Sequence, residues 1–131
     1  MMDIPSHLRK PRLLVVDDDR DLVDALCEWI SLNSDWTSVA AYGPADAITR
    51  AGMVHPDAVL LDMEMGDVDG FDTADRLDVA CGSDHPPLFA LTGNPRLRDA
   101  AAEDARFSAS MLKPANLEGL LSLLEQVRLP H

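Results

Sequence analysis

The stretch Ala58-Val59-Leu60-Leu61-Asp62 decides how this chain folds. The apolar run is short and bounded, which makes it a buried strand, and an aspartate ends it. Three other apolar runs end in the same manner. Leu13-Leu14-Val15-Val16 leads into Asp17-Asp18-Asp19, Leu88-Phe89-Ala90-Leu91 into Thr92, and Met111-Leu112 into Lys113. In an open parallel sheet the carboxyl ends of the strands share one edge, and ligand sites lie in the crevice there. Acids, a hydroxyl and an amine at those ends describe one site.

Outward from these runs, strands and helices alternate without a break. Residues 12–16 read as a strand, and 20–33 as a helix with Leu22, Val23, Leu26, Trp29 and Ile30 at helical spacing and Asp19 as its N-cap. Residues 37–41 form a second strand. Gly43-Pro44 opens a helix to about residue 53, with proline at the favoured first position. After the strand at 58–61 comes an acidic loop over 63–69, then a helix over 71–80. The breaker Gly82-Ser83-Asp84-His85-Pro86-Pro87 precedes the strand at 88–91. Asn94-Pro95 caps a helix to about residue 105. A fifth strand spans 108–112, and Asn116 caps a last helix whose apolar face is Leu117, Leu120, Leu121, Leu124 and Val127. Connections that carry a helix imply parallel neighbours and right-handed crossovers. Strands apolar throughout imply a sheet covered on both faces. The expected architecture is α/β: one domain over residues 11–128, a doubly wound five-stranded parallel sheet with five helices, behind a short tail over 1–10.

Length and composition agree. The chain has 131 residues, of which 47% are hydrophobic and 26% charged, as in an ordinary globular domain. Its net charge is −12, from 23 acids against 11 Lys and Arg. That balance argues against nucleic acid and against an anionic membrane surface as partner. Cys27 and Cys81 are too few for a disulfide framework. No apolar stretch approaches the roughly 20 residues that span a bilayer, and residues 1–12 lack the apolar core of a signal peptide. A cytoplasmic protein with reduced thiols is expected.

Each member of the site has an ordinary structural reading beside the chemical one. Asp62 either caps the next turn or acts as a nucleophile, since a carboxylate can attack phosphorus and form an aspartyl phosphate. Asp19 suits the positive end of a helix dipole. Asp17 and Asp18 are harder to explain in that way. Beside Asp62 they would repel unless a cation sat among them, and an all-oxygen ligand set points to Mg²⁺. Thr92 either satisfies a strand-end backbone group or presents its hydroxyl to the site. Lys113 either reaches solvent or supplies the counter-charge the acids require. Phosphoryl transfer is largely positioning and charge neutralisation, so a metal, an amine and a hydroxyl around a nucleophile suffice.

In order and spacing, Leu-Leu-Val-Val-Asp17-Asp18-Asp19, Leu-Leu-Asp62-Met-Glu-Met, Asp69-Gly70, Leu-Thr92-Gly93 and Lys113-Pro114 resemble a response regulator receiver domain of two-component signalling, of the chemotaxis-regulator-like kind. The resemblance covers about residues 11 to 128. It implies the flavodoxin-like strand order 2-1-3-4-5. It implies that Asp62 is the phosphoacceptor for a phosphohistidine on a histidine kinase or histidine phosphotransfer protein. Mg²⁺ would then be bound by the side chains of Asp18 and Asp62, by the backbone carbonyl of Glu64, and by Asp17 through water. Thr92 would bond a phosphoryl oxygen, and Lys113 would pair with the acids and then with the phosphoryl group. The signal would pass to a downstream protein target or output domain, with no direct DNA binding by this chain.

Two positions depart from the family pattern. Gly66 stands where proline is usual four residues after the acceptor, so a more mobile 63–69 loop is expected. Ser110 stands where the switch aromatic is usual. Phe107 is expected on the same face as Ser110 but about 10 Å along the strand, at about 3.3 Å per residue, and so cannot replace it. A weaker or different switch is expected on the face made by the fourth helix, fifth strand and last helix. Two other classes compete with the receiver. One is a Mg²⁺-dependent aspartyl-phosphate phosphatase or phosphotransferase with Glu64 as its acid. The other is a non-phosphorylated interaction module. Trp29 is expected in or at the core, Trp36 against the end of its helix, and His55 and His85 facing solvent. Asp67-Val-Asp69-Gly70 resembles part of a calcium loop, but its glycine falls at the fourth position instead of the sixth.

Overall fold

A computed structural model describes residues 9–82 and 85–128 of the chain. Residues 1–8, most of the expected tail, lie outside the described residues, as do Ser83 and Asp84 of the breaker. The order of elements is β1 (Arg12–Val16), α1 (Arg20–Asn33), β2 (Thr37–Ala41), α2 (Pro44–Val54), β3 (Ala58–Asp62), β4 (Glu64–Met65), β5 (Val68–Asp69), α3 (Gly70–Cys81), β6 (Leu88–Thr92), α4 (Pro95–Ala102), β7 (Phe107–Leu112) and α5 (Leu117–Arg128). The main sheet is five-stranded, in the order β2-β1-β3-β6-β7, and every pairing in it is parallel. Counting only the main-sheet strands, this is the expected 2-1-3-4-5.

The strands are apolar on both faces because both are covered. Leu14, Val16, Val59, Leu61, Leu88 and Ala90 pack with Ala47, Ala51, Ala74, Leu77 and Ala101 from α2, α3 and α4. Their neighbours Leu13, Val15, Leu60, Phe89 and Leu91 pack with Val23, Leu26 and Ile30 of α1 and Leu120 and Leu124 of α5. Trp36 belongs to this second core and is 1% exposed, deeper than a helix-end position suggested. His55 and His85 are exposed.

Three local features differ from the sequence reading. The 63–69 segment is a small antiparallel hairpin, with Glu64 opposite Asp69 and Met65 opposite Val68. Gly66 makes its turn at φ +61°, a left-handed conformation that proline cannot adopt. The helix α4 ends at Ala102 instead of near 105. There the Asp104 carboxylate accepts the Arg106 N–H at 2.9 Å and closes a turn that leads into β7.

The third feature is a register shift between β6 and β7, where Leu88 pairs with Phe107 but Phe89 pairs with Ala109. Ser108 is the extra residue of a bulge. Strict alternation would put Phe107 and Ser110, three apart, on opposite faces. The bulge, not parity, brings them to the same side, where Phe107 joins the α2–α3–α4 core and Ser110 reaches α4.

Candidate functional site

The strand order places the ends of β1, β3, β6 and β7 side by side, and backbone bonds hold them level. Met63 N–H donates to the Leu91 carbonyl at 3.0 Å, and Lys113 N–H to the Thr92 carbonyl at 2.8 Å. Asp17 N–H donates to the Ala41 carbonyl at 3.2 Å, which ties the start of the β1–α1 loop to β2. The side chains that follow these strands therefore meet. Asp17, Asp18 and Asp62 each bring a carboxylate oxygen within 4.8 Å of the others. Asp17 and Asp62 are 2% exposed, whereas Asp18 is open to solvent. Asp19 stands apart from them as the N-cap of α1 and accepts Leu22 N–H at 3.2 Å.

Lys113 reaches over the buried pair. Its Nζ is 2.7 Å from Asp17 Oδ2 and 3.6 Å from Asp62 Oδ1. Asp17 Oδ2 is buried, and the Lys113 ammonium is its charge partner. Its other oxygen, Oδ1, accepts Asp19 N–H at 3.0 Å. Asp62 Oδ1 accepts Glu64 N–H at 3.2 Å. Burial is the main cause that pushes the Asp62 carboxyl up to about 7, and the Asp17 charge adds to it. The Glu64 N–H and the Lys113 charge oppose that rise. Burial disfavours the Lys113 ammonium, but the Asp17 and Asp62 carboxylates outweigh it and hold its pKa above the ordinary lysine value.

One cation thus stands against three carboxylates. That charge imbalance and an all-oxygen donor set, open through Asp18, fit a hard divalent cation such as Mg²⁺.

Thr92 closes the far side. It is fully buried, its Oγ1 accepts Asn94 N–H at 3.1 Å, and its hydroxyl donates to Glu64 Oε1 at 3.3 Å. Asn94 also caps α4, accepting Arg96 N–H at 2.9 Å. The sequence pointed to the Glu64 backbone and to Asn94 as a cap. It carried no signal for the Glu64 side chain at Thr92, because that contact joins residues 28 apart across two loops. At the aromatic's usual position, Ser110 Oγ donates to the Arg98 carbonyl at 2.7 Å and pins β7 to α4. Arg106 grips α3 through the Phe71 carbonyl at 3.0 Å and through the Asp75 carboxylate. Asp67 and Asp69 are exposed on the hairpin, and Asp69 is occupied as the N-cap of α3.

A buried aspartate at the end of the central strand thus lies with two further acids, a lysine and a threonine at one edge of a doubly wound sheet. Residues 13–125 match the response regulator receiver domain family, and the chain belongs to that family. It is 32% identical over 112 residues to response regulator MprA of Mycobacterium ulcerans, covering 85% of this chain and 47% of that protein. It is 29% identical over 122 residues to a protein-glutamate methylesterase/protein-glutamine glutaminase of Trichodesmium erythraeum, covering 91% of this chain and 34% of that protein. The chain therefore spans a third to about half the length of these curated relatives. Among solved structures, the non-phosphorylated HemR receiver domain of Leptospira biflexa is 28% identical with a TM-score of 0.74, covering 93% of this chain and 99% of that one. Response regulator TrrA of Thermotoga maritima, solved in complex with Mg(2+)-BeF, shares the fold at 20% identity and a TM-score of 0.76, covering 89% of this chain and 98% of that one.

Proposed function

We propose that this receiver domain takes a phosphoryl group from a phosphohistidine of a histidine kinase or histidine phosphotransfer protein onto Asp62. The observation that carries this is the meeting of Asp62 with Asp17, Asp18 and Lys113 at one sheet edge. In the transfer, an Asp62 carboxylate oxygen forms the P–O bond as the P–N bond to imidazole breaks, and the electron pair of that bond leaves with the imidazole. The side chains of Asp18 and Asp62, the Glu64 carbonyl and Asp17 through water would hold Mg²⁺, which would supply positive charge to the anionic oxygens. Lys113 moves its partnership from Asp62 to the phosphoryl group, and the Thr92 hydroxyl donates to a phosphoryl oxygen. The TrrA structure, with Mg(2+)-BeF bound, supports the same ligand chemistry here.

The product is a conformational state passed to a protein target or output domain in the cytoplasm, and a shift of a few kcal/mol suffices for that. No helix among the described residues is long and apolar enough to cross a membrane. The net charge of −12 disfavours direct DNA contact by this chain.

Incubation with Mg²⁺ and acetyl phosphate or a phosphorylated kinase, read by intact mass, tests the chemistry. One phosphate adduct per chain is expected, and none in Asp62→Asn. Sustained turnover of free phosphate esters would instead identify a phosphatase, and no adduct with any donor would leave only an interaction module.

A further inference from the structure

We infer that the Glu64 side chain is a latch on Thr92, which keeps the threonine hydroxyl out of phosphoryl coordination until the latch is released. The inference rests on the receiver reading and deepens it. A hydroxyl has one proton to donate. In this structure Thr92 Oγ1 already accepts from Asn94 N–H at 3.1 Å, and its proton is directed to Glu64 Oε1 at 3.3 Å. Thr92 is fully buried, so water does not compete freely for that proton. A phosphoryl oxygen on Asp62 therefore recruits Thr92 only by taking the proton from Glu64. The Glu64 backbone N–H meanwhile donates to Asp62 Oδ1 at 3.2 Å, so one residue touches both the acceptor and the threonine. Glu64 lies in β4, paired with Asp69, the N-cap of α3. Release of Glu64 thus acts on the hairpin that leads into α3. In this arrangement Glu64 is a positioning residue: it sets the free state of Thr92 and leaves the transfer itself to Asp62.

A double-mutant cycle on the full chain separates this latch from simple charge repulsion. The affinity for beryllofluoride at saturating Mg²⁺ is measured by amide shifts in NMR spectra for the wild type, Glu64→Ala and Glu64→Gln, each also combined with Thr92→Val. A latch predicts about threefold tighter binding for Glu64→Ala, the size of one modest hydrogen bond. It predicts a smaller gain for Glu64→Gln, which keeps an acceptor, and no gain for either in the Thr92→Val background. It also predicts a shift of the Asn94 amide in Glu64→Ala before any ligand is added. Equal gains with and without Thr92, or equal gains for Ala and Gln, would show repulsion only and overturn the latch. No gain at all would overturn it while leaving the receiver reading intact. Failure of the wild type to bind beryllofluoride would remove both.

Discussion

Lys113 is the only cation that the described residues bring against Asp17 and Asp62, and its two contacts are unequal at 2.7 and 3.6 Å. Asp17 takes the closer contact and Asp62 the looser one, which suits the exchange of partners proposed for Asp62. Removing the lysine would leave two buried carboxylates with no counter-charge. A fully buried broken pair costs about 3–5 kcal/mol. The Lys113 side chain is 29% exposed, so water screens part of that loss. We predict that Lys113→Met lowers stability by about 2 kcal/mol at pH 8 without divalent cation. The loss should be smaller at pH 5, where a protonated Asp62 removes one of the charges. Urea unfolding at the two pH values checks this, and an equal loss at both would show that the lysine acts through its aliphatic stem. These residues were legible in the sequence because each follows an apolar run. The Thr92–Glu64 bond was not, because a side-chain direction on an exposed loop leaves no periodic trace.

At the scale of elements, the regular parts were legible and the irregular ones were not. The apolar runs of β1, β3 and β6 are unbroken, and the spacing of Leu117, Leu120, Leu121, Leu124 and Val127 fixes α5. The end of α4 was hidden because Ala102-Glu103 continues a good helix, and the stop comes from the Asp104–Arg106 turn with no glycine or proline to announce it. The Ser108 bulge was hidden because one unpaired residue does not alter composition. The hairpin β4–β5 was hidden because two-residue strands have no period. It replaces the expectation of a loose loop with a paired one whose turn needs the positive φ of Gly66. Its exit is tight as well. Gly70 N–H donates to the Met63 carbonyl at 2.9 Å, and a Cβ at Gly70 would lie 2.8 Å from Met63 Cα. Backbone cannot yield there as a flexible side chain can, so Gly70→Ala should cost about 1–3 kcal/mol by overpacking. It should also weaken Mg²⁺ binding by displacing the Glu64 carbonyl proposed as a ligand, as a cation titration would report. A neutral Gly70→Ala would show that the hairpin is not held against Met63. The Ser110–Arg98 bond predicts where the switch does not travel. Because α4 is pinned to β7, changes in amide exchange on beryllofluoride binding should centre on 62–70. A large coordinated change over 93–113 would show that the pin releases.

Over the whole molecule, the pocket works against the fold that builds it. The chain carries a net charge of −12, and its most buried acids are gathered at one sheet edge. The consequence for pH has a definite sign. Asp62 titrates at about 7 in the folded chain, against an ordinary aspartate value of 3.8. Between those values the folded state holds a proton that the unfolded chain has released. Its contribution to stability is therefore complete below about pH 4 and is lost as pH rises through about 7. Asp104 acts in the opposite sense, because hydrogen bonds from Arg106 lower its carboxyl to about 2. Its contribution is present above about pH 4 and is lost as pH falls through about 2, outside the Asp62 window. We predict that Asp62→Asn, in the presence of a chelator, is more stable than the wild type at pH 8, with the difference shrinking towards pH 5. Mg²⁺ at pH 8 should then raise the unfolding midpoint of the wild type more than that of the variant, since a ligand of the folded state stabilises in proportion to its binding. Urea unfolding at both pH values, with chelator and with Mg²⁺, measures all four terms. A wild type that gains stability from pH 5 to 8 relative to Asp62→Asn would show that Asp62 is ionised and paired in the free chain, and that Lys113 alone neutralises the pocket.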